Sequence, residues 1–360
     1  MTRRVQIGLV FIITYFSVGY LHYPYLIYLL TQSGHWEVVL SQGLLQLILI
    51  WIYMKGLNYF PQKDIIDIYL KMGRWAAYLF LIPFVINLTA LVAFDLRFHT
   101  EVLTSIFLTR TPYWSILVLL IFISAYTAIK GWGTILRSSV FIFLLVIPLV
   151  MFNSISSMIN FDFQNAFPIW QSSINFLVDI KFLYLLGLSS FLFLGFVPSE
   201  TNMTFGQLVV AWACVILFIL TSVYVPLFIF GQETVSTFPL PILEAMDSVD
   251  IRWFVFNRQT MFLGLSLVGF TIMFNALLIW MIGQIMLRLF KWHRTKATHW
   301  IIAFSLIAFI SALFVPNHDW IEKCFLWSTG AQVYSMIIIP FTIFIYGAFS
   351  KRGMAGYEKN

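Results

Sequence analysis

The chain has 360 residues, of which 61% are hydrophobic and only 10% charged, and its mean hydropathy is +0.90. That balance excludes a soluble domain and defines an all-α integral membrane protein with no room outside the bilayer for a separate catalytic domain. The net charge of +6 would point to nucleic acid in a soluble protein; here it reads as loop charge on the cytoplasmic face.

Ten apolar runs are long enough to cross a bilayer: 5–30, 38–58, 76–96, 113–129, 135–153, 181–199, 205–230, 259–287, 299–316 and 331–349. The first starts almost at Met1 and lacks a small-residue cleavage site, so it is expected to be a retained helix. With the N-terminus inside, the cytoplasmic basic residues are Arg3, Arg4, Lys55, Lys63, Lys71, Arg74, Lys130, Arg137, Arg288, Lys291, Arg294, Lys296, Lys351, Arg352 and Lys359. The outer set is Arg110, Lys181, Arg252, Arg258 and Lys323. Fifteen against five is a strong positive-inside bias, and it places both termini in the cytoplasm.

The first span is interrupted near its centre by Gly19, His22 and Pro24, with Tyr20, Tyr23 and Tyr25 beside them. Proline cannot donate to the ladder and crowds the preceding turn, while glycine lets that turn unwind. Such a break marks a transport or ligand site at membrane depth, or is a plain proline kink. His22 can titrate, meet a carboxylate or bond a freed carbonyl.

At the outer end of the third span lies Asp95-Leu-Arg97-Phe-His99-Thr-Glu101. Asp95 and His99 share one helix face, Arg97 and Glu101 another. Two readings stand: a gate or ion-coupled element built from these four residues, or a self-paired helix running on into water. The sixth span carries Gly187, Ser189, Ser190 and Gly195 and ends at Pro198 and Glu200. If the ten spans are two inverted sets of five, spans one and six are equivalent, and two weak helices there point to a five-plus-five fold; close helix packing is the alternative. In the eighth span Thr271 and Asn275 share a face, either lining a cavity or bonding a neighbour.

The long outer connections are 153–179 and 230–259, the latter expected to form a short amphipathic helix or cap. Cys214 lies in an apolar run and Cys324 in a loop, so no disulfide is expected. No phosphate loop, nucleophile elbow or metal motif occurs; neither an enzyme nor a cofactor or metal site is expected.

The middle of the chain carries Thr111-Pro112-Tyr113-Trp114, then Tyr126 to Gly131, Arg137, Asn160-Phe161-Asp162 and Pro168. This run resembles the spore germination permease family, the B subunits of germinant receptors in endospore-forming bacteria. Arg97 and Glu101 before the Thr-Pro motif, and Gly19 and Pro24 in the first span, match the same pattern. The family is similar to the amino acid–polyamine–organocation transporters. The resemblance implies a single polytopic domain with repeats at about 5–153 and 181–349 and broken helices one and six around a central ligand site. It further implies a germinant-sensing role beside A and C subunits in the spore inner membrane. His22 stands where many relatives carry a small or aliphatic residue. The expected ligand, a small nutrient such as an amino acid, would meet Gly19, Tyr20, His22, Gly187, Ser189, Ser190, Thr271 and Asn275; an ion-coupled permease is the alternative.

Overall fold

A computed structural model describes residues 2–106, 108–170, 174–188, 190–249, 260–290, 296–315 and 318–357. The elements are α1 (Arg3–Leu30), α2 (His35–Asn58), α3 (Ile65–Met72), α4 (Arg74–Ile106), α5 (Tyr113–Lys130), α6 (Trp132–Ser157), α7 (Ile180–Leu186), α8 (Phe205–Val235), α9 (Pro241–Asp247), α10 (Thr260–Leu289), α11 (Ala297–Phe314) and α12 (His318–Tyr357). Among the described residues there is no strand. Eight helices are long and apolar enough to cross a membrane, and α1 makes a ninth if its two bent halves form one span.

Nine of the ten runs expected from hydropathy, all but 181–199, correspond to these helices, with altered ends. The third extends through Ile106, so the whole Asp95–Glu101 stretch is helical. The tenth begins at His318, so Cys324, expected in a loop, lies in α12. The run at 181–199 divides into α7 and a short tight helix, Phe191–Phe196. In the 230–259 connection a short helix does form, α9, which starts on Pro241 and buries Ile242, Leu243, Ala245 and Met246; Asp250 to Gln259 lie outside the described residues.

Packing sorts most of the helices into two groups, which meet where α1 packs on α10, and α3 lies against α4. Helix α1 lies along α8, and α2 against α8 and the 191–196 segment. Helix α10 is nearly enclosed by α4, α5, α6 and α11. Helices α6 and α12 flank the two groups, α6 touching α1 and α10, and α12 touching α2 and α4.

Helix α8 bends at Gly231, whose φ of 74° is one that side-chain-bearing residues rarely adopt. The nearby Phe228 carbonyl accepts from the Asp162 backbone N–H (3.0 Å) and from Asn165 Nδ2 (2.9 Å). Asn160-Phe161-Asp162 thus opens a loop that is clamped to the bend rather than trailing free.

Candidate functional site

The site grows from the bend in α1. Residues 3–17 and 19–30 meet at 51°, between one and two turns before Pro24, which withholds a donor from the ladder. A Cβ added at Gly19 would meet only the Tyr23 ring, at 3.8 Å, so the bend is not crowded by other elements.

Facing the bend is Asp95 of α4, a 2% exposed carboxylate. Its Oδ1 accepts from Ser17 Oγ (3.2 Å) and lies 3.2 Å from His99 Nδ1. Its Oδ2 accepts from Asn275 Nδ2 of α10 at 2.7 Å. His99 Nδ1 is also 2.9 Å from the Asp95 backbone carbonyl. Both neighbours of Nδ1 are acceptors, so Nδ1 carries a proton. The carboxylate thereby joins three helices through charge-assisted bonds, which is how a buried charge is tolerated at membrane depth.

The amide nitrogen of Asn275 must face an acceptor, so its Oδ1 turns away from Asp95. That oxygen, Thr271 Oγ1 one turn earlier and His99 Nε2 are buried and have no hydrogen-bond partner among the described residues. Ser190, next to the tight helix, donates to Thr14 Oγ1 in α1 at 2.8 Å. This hydroxyl pair links the two interrupted segments directly.

Other expected site residues lie elsewhere. The His22 ring lies tilted against Phe98, with centroids 3.9 Å apart, and near Phe94 at 5.4 Å, so it packs on the aromatic side of α4. Tyr20 is buried beside Ser154 of α6. Gly187 faces α12: an added Cβ would come within 2.3 Å of Thr329 Cγ2 and 2.9 Å of its carbonyl. It is a close-approach glycine between helices. Ser189 lies outside the described residues.

The four residues of α4 separate as their spacing predicts. Asp95 and His99 enter the core, both at most 2% exposed, rather than running on into water. Arg97 pairs with Glu101 at 3.1 Å, donates to the Val315 carbonyl at 3.1 Å and lies over the Tyr113 ring. It borders a separate groove of about 740 Å³ between α4, α11 and α12 that also holds Ile86, Phe304 and Trp327. Ser17 and Thr14 were not singled out from sequence. Each is a hydroxyl on an apolar span within a turn or so of Gly19, the one signal that would have marked them.

A bent first helix, an interrupted segment at 180–196 and a buried carboxylate joining α1, α4 and α10 define a multi-pass membrane protein of the transporter fold. Solved structures agree. MhsT in complex with L-phenylalanine is similar with a TM-score of 0.60 at 14% identity, covering 94% of this chain and 97% of that one. A variant of the manganese transporter of Eremococcus coleocola gives 0.60 at 12% identity, covering 95% of this chain and 76% of the other. The chain belongs to the spore germination protein family, which it matches over residues 4–320. It is similar to spore germination protein YndE of Bacillus subtilis (strain 168), 26% identical over 254 residues, 69% of each chain.

Proposed function

We propose that this chain is the B subunit of a germinant receptor and binds a small nutrient germinant, such as an amino acid, beside the α1 bend. The carrying observation is the Asp95 carboxylate, held at once by Ser17, His99 and Asn275. Through it, anything that moves the bend also moves α4 and α10. Family membership and the fold shared with a protein solved with L-phenylalanine support the same reading.

A zwitterion has natural partners there. Its ammonium group suits Asn275 Oδ1 and the Thr271 hydroxyl. Its carboxylate suits the backbone amides that open the half-helix from Gly19 to Leu30, as anions do at helix N-termini. A ligand shifts the arrangement of the two helix groups only as far as it prefers one arrangement over the other. In this reading the protein has ten spans in two inverted sets of five, with both termini in the cytoplasm. It works in the spore inner membrane with A and C subunits that read out the shift, and it performs no catalysis.

The test is a germination assay on spores carrying this chain as their only B subunit, scanned over amino acids and other small nutrients. A response abolished by Asn275→Ala and Thr271→Val supports the reading; an unaltered response to every nutrient in both variants rejects this site. The buried Asp95–His99 pair favours one second reading, an ion-coupled amino acid permease. Concentrative uptake of labelled amino acid by the isolated chain in proteoliposomes would select it.

A further inference from the structure

The connection from α6 to α7 is more apolar than a loop standing in water. Between Asp162 and Asp179 the sequence has no charged residue. Ile159, Phe163, Phe167, Trp170, Ile174 and Val178 are each 64–88% exposed. Exposed apolar residues scattered singly are ordinary, but a run of them marks contact with a membrane or with another protein. The two aspartates that bound the run are occupied locally. Asp162 accepts from the Gln164 backbone N–H and Asp179 from that of Lys181, both at 2.9 Å.

The height of this connection on the molecule decides between the two. The Phe161 and Phe163 rings each lie 5.1 Å from the ring of Phe228, which belongs to α8 just before its bend. Trp36 Nε1, in the first turn of α2, donates to the Ile169 carbonyl at 3.1 Å, and its ring meets Trp170 edge-on at 4.8 Å. Lys181 Nζ donates to the Leu29 carbonyl in the last turn of α1 at 3.4 Å. The connection therefore passes level with the ends of α1, α2 and α8, the depth at which headgroups meet hydrocarbon and aromatic side chains gather. It is also continuous with a lipid-facing surface. Phe141, Leu144, Met151 and Ile155 form one exposed stripe along α6, and the stripe runs on into Met158 and Ile159. Backbone at that depth must find its partners within the protein. The tight turns Phe163–Ala166 and Asn175–Val178 provide them, the Phe167 N–H meeting the Gln164 carbonyl at 3.1 Å and the Asp179 N–H the Phe176 carbonyl at 3.3 Å.

We propose that residues 158–180 form a collar seated in the lipid headgroup region, at the end of the bundle where α1 closes and α2 opens, with its apolar side chains among the upper acyl chains. Interfacial segments hold to a membrane in this way, through buried apolar area. A protein partner is the competing occupant; the unbroken passage from the α6 stripe into the collar favours lipid. Since the collar is fastened to α1, α2 and α8, the lipid surface then steadies the ends of three helices, one of which carries the bend. The proposal needs only that the long helices cross a membrane, and no germinant enters it.

Spin-label accessibility of the full chain in lipid nanodiscs tests the collar. In a Cys214→Ser, Cys324→Ser background, single labels are placed through Ile159→Cys, Ile174→Cys and Val178→Cys, with Asp247→Cys on the exposed side of α9 as the water-facing reference. Oxygen, which concentrates in lipid, is expected to relax the three collar labels more than a water-borne nickel chelate does, and Asp247→Cys is expected to show the reverse order. A seat for a protein partner would leave the collar of the purified chain in water. Relaxation dominated by the chelate at Ile174→Cys or at Val178→Cys therefore overturns the proposal, whatever Ile159→Cys shows, because Ile159 only prolongs the α6 stripe. That outcome leaves the germinant reading standing, and failure of the germination assay leaves the collar standing.

Discussion

The Ser17 hydroxyl donates to the Asp95 carboxylate at 3.2 Å, across the point where α1 changes direction. Removing either partner should therefore act on the bend, but unequally. Ser17→Ala deletes one donor and is expected to cost about 1 kcal/mol. Asp95→Ala strands the Ser17 and Asn275 donors together, while His99 Nδ1 keeps the residue-95 backbone carbonyl, and should cost about 1–3 kcal/mol for each group left buried without a partner. Thermal unfolding in detergent should rank wild type above Ser17→Ala above Asp95→Ala; an equal midpoint for all three contradicts the network.

His22 separates packing from polarity. Its ring lies on Phe98, so His22→Phe should keep the wild-type unfolding midpoint. His22→Ala removes the packed ring and should cost about 3 kcal/mol or more, as aromatic truncations in a packed interior do. A midpoint lowered as much by phenylalanine as by alanine would show that a polar contact dominates.

Gly187→Ala would drive a Cβ into Thr329 and is expected to destabilise by about 1–3 kcal/mol. Thr329→Ala should recover part of that loss by removing Cγ2. It should not recover all, because the Thr329 carbonyl is also too near. Full recovery, or none, in the double variant would refute this contact.

At Gly231 the backbone itself is the constraint. Alanine at φ 74° and ψ 166°, a conformation kept essentially to glycine, is expected to cost about 1–3 kcal/mol. The loop clamped to Phe228 should then exchange faster over 158–167, measured by hydrogen exchange; an unchanged loop would show that the clamp does not depend on the bend.

Asp64, which caps α3 and pairs with Arg288, supplies a pH signature. Burial holds its carboxyl above the ordinary carboxylate value, an effect larger than the opposing pull of the Asp67 N–H and Arg288. A raised pKa binds its proton more tightly in the folded state, so its stabilising contribution is full below about pH 4 and is lost as pH rises through the folded value. Asp64→Asn keeps a capping side chain. The variant should lose that acid-side dependence and unfold no earlier than wild type at pH 7. A lower midpoint at pH 7 would mean that the ion pair outweighs the burial.

The membrane runs were legible because each needs only local apolarity, and the Asp95–His99 pairing because it spans one helical turn. The convergence of Ser17, Asp95 and Asn275 was not, since 78 and 180 residues separate the partners and only the fold brings them together. Gly187 shows a different limit. A glycine in a weak helix reports that something comes close, without saying whether a ligand or, as here, another helix does so. Arg97 and Glu101 followed their spacing, but what Arg97 meets beyond it, the Val315 carbonyl, lies just past the end of α11 and leaves no local trace.

The bond from Ser190 to Thr14 has a mechanical meaning. Two interrupted segments that were free to flex separately would each absorb a small molecule's arrival as local disorder. Fastened hydroxyl to hydroxyl, they can only yield in step, like two leaves on a single pin. A compound no larger than an amino acid, by competing for either hydroxyl, would then unpin both at once.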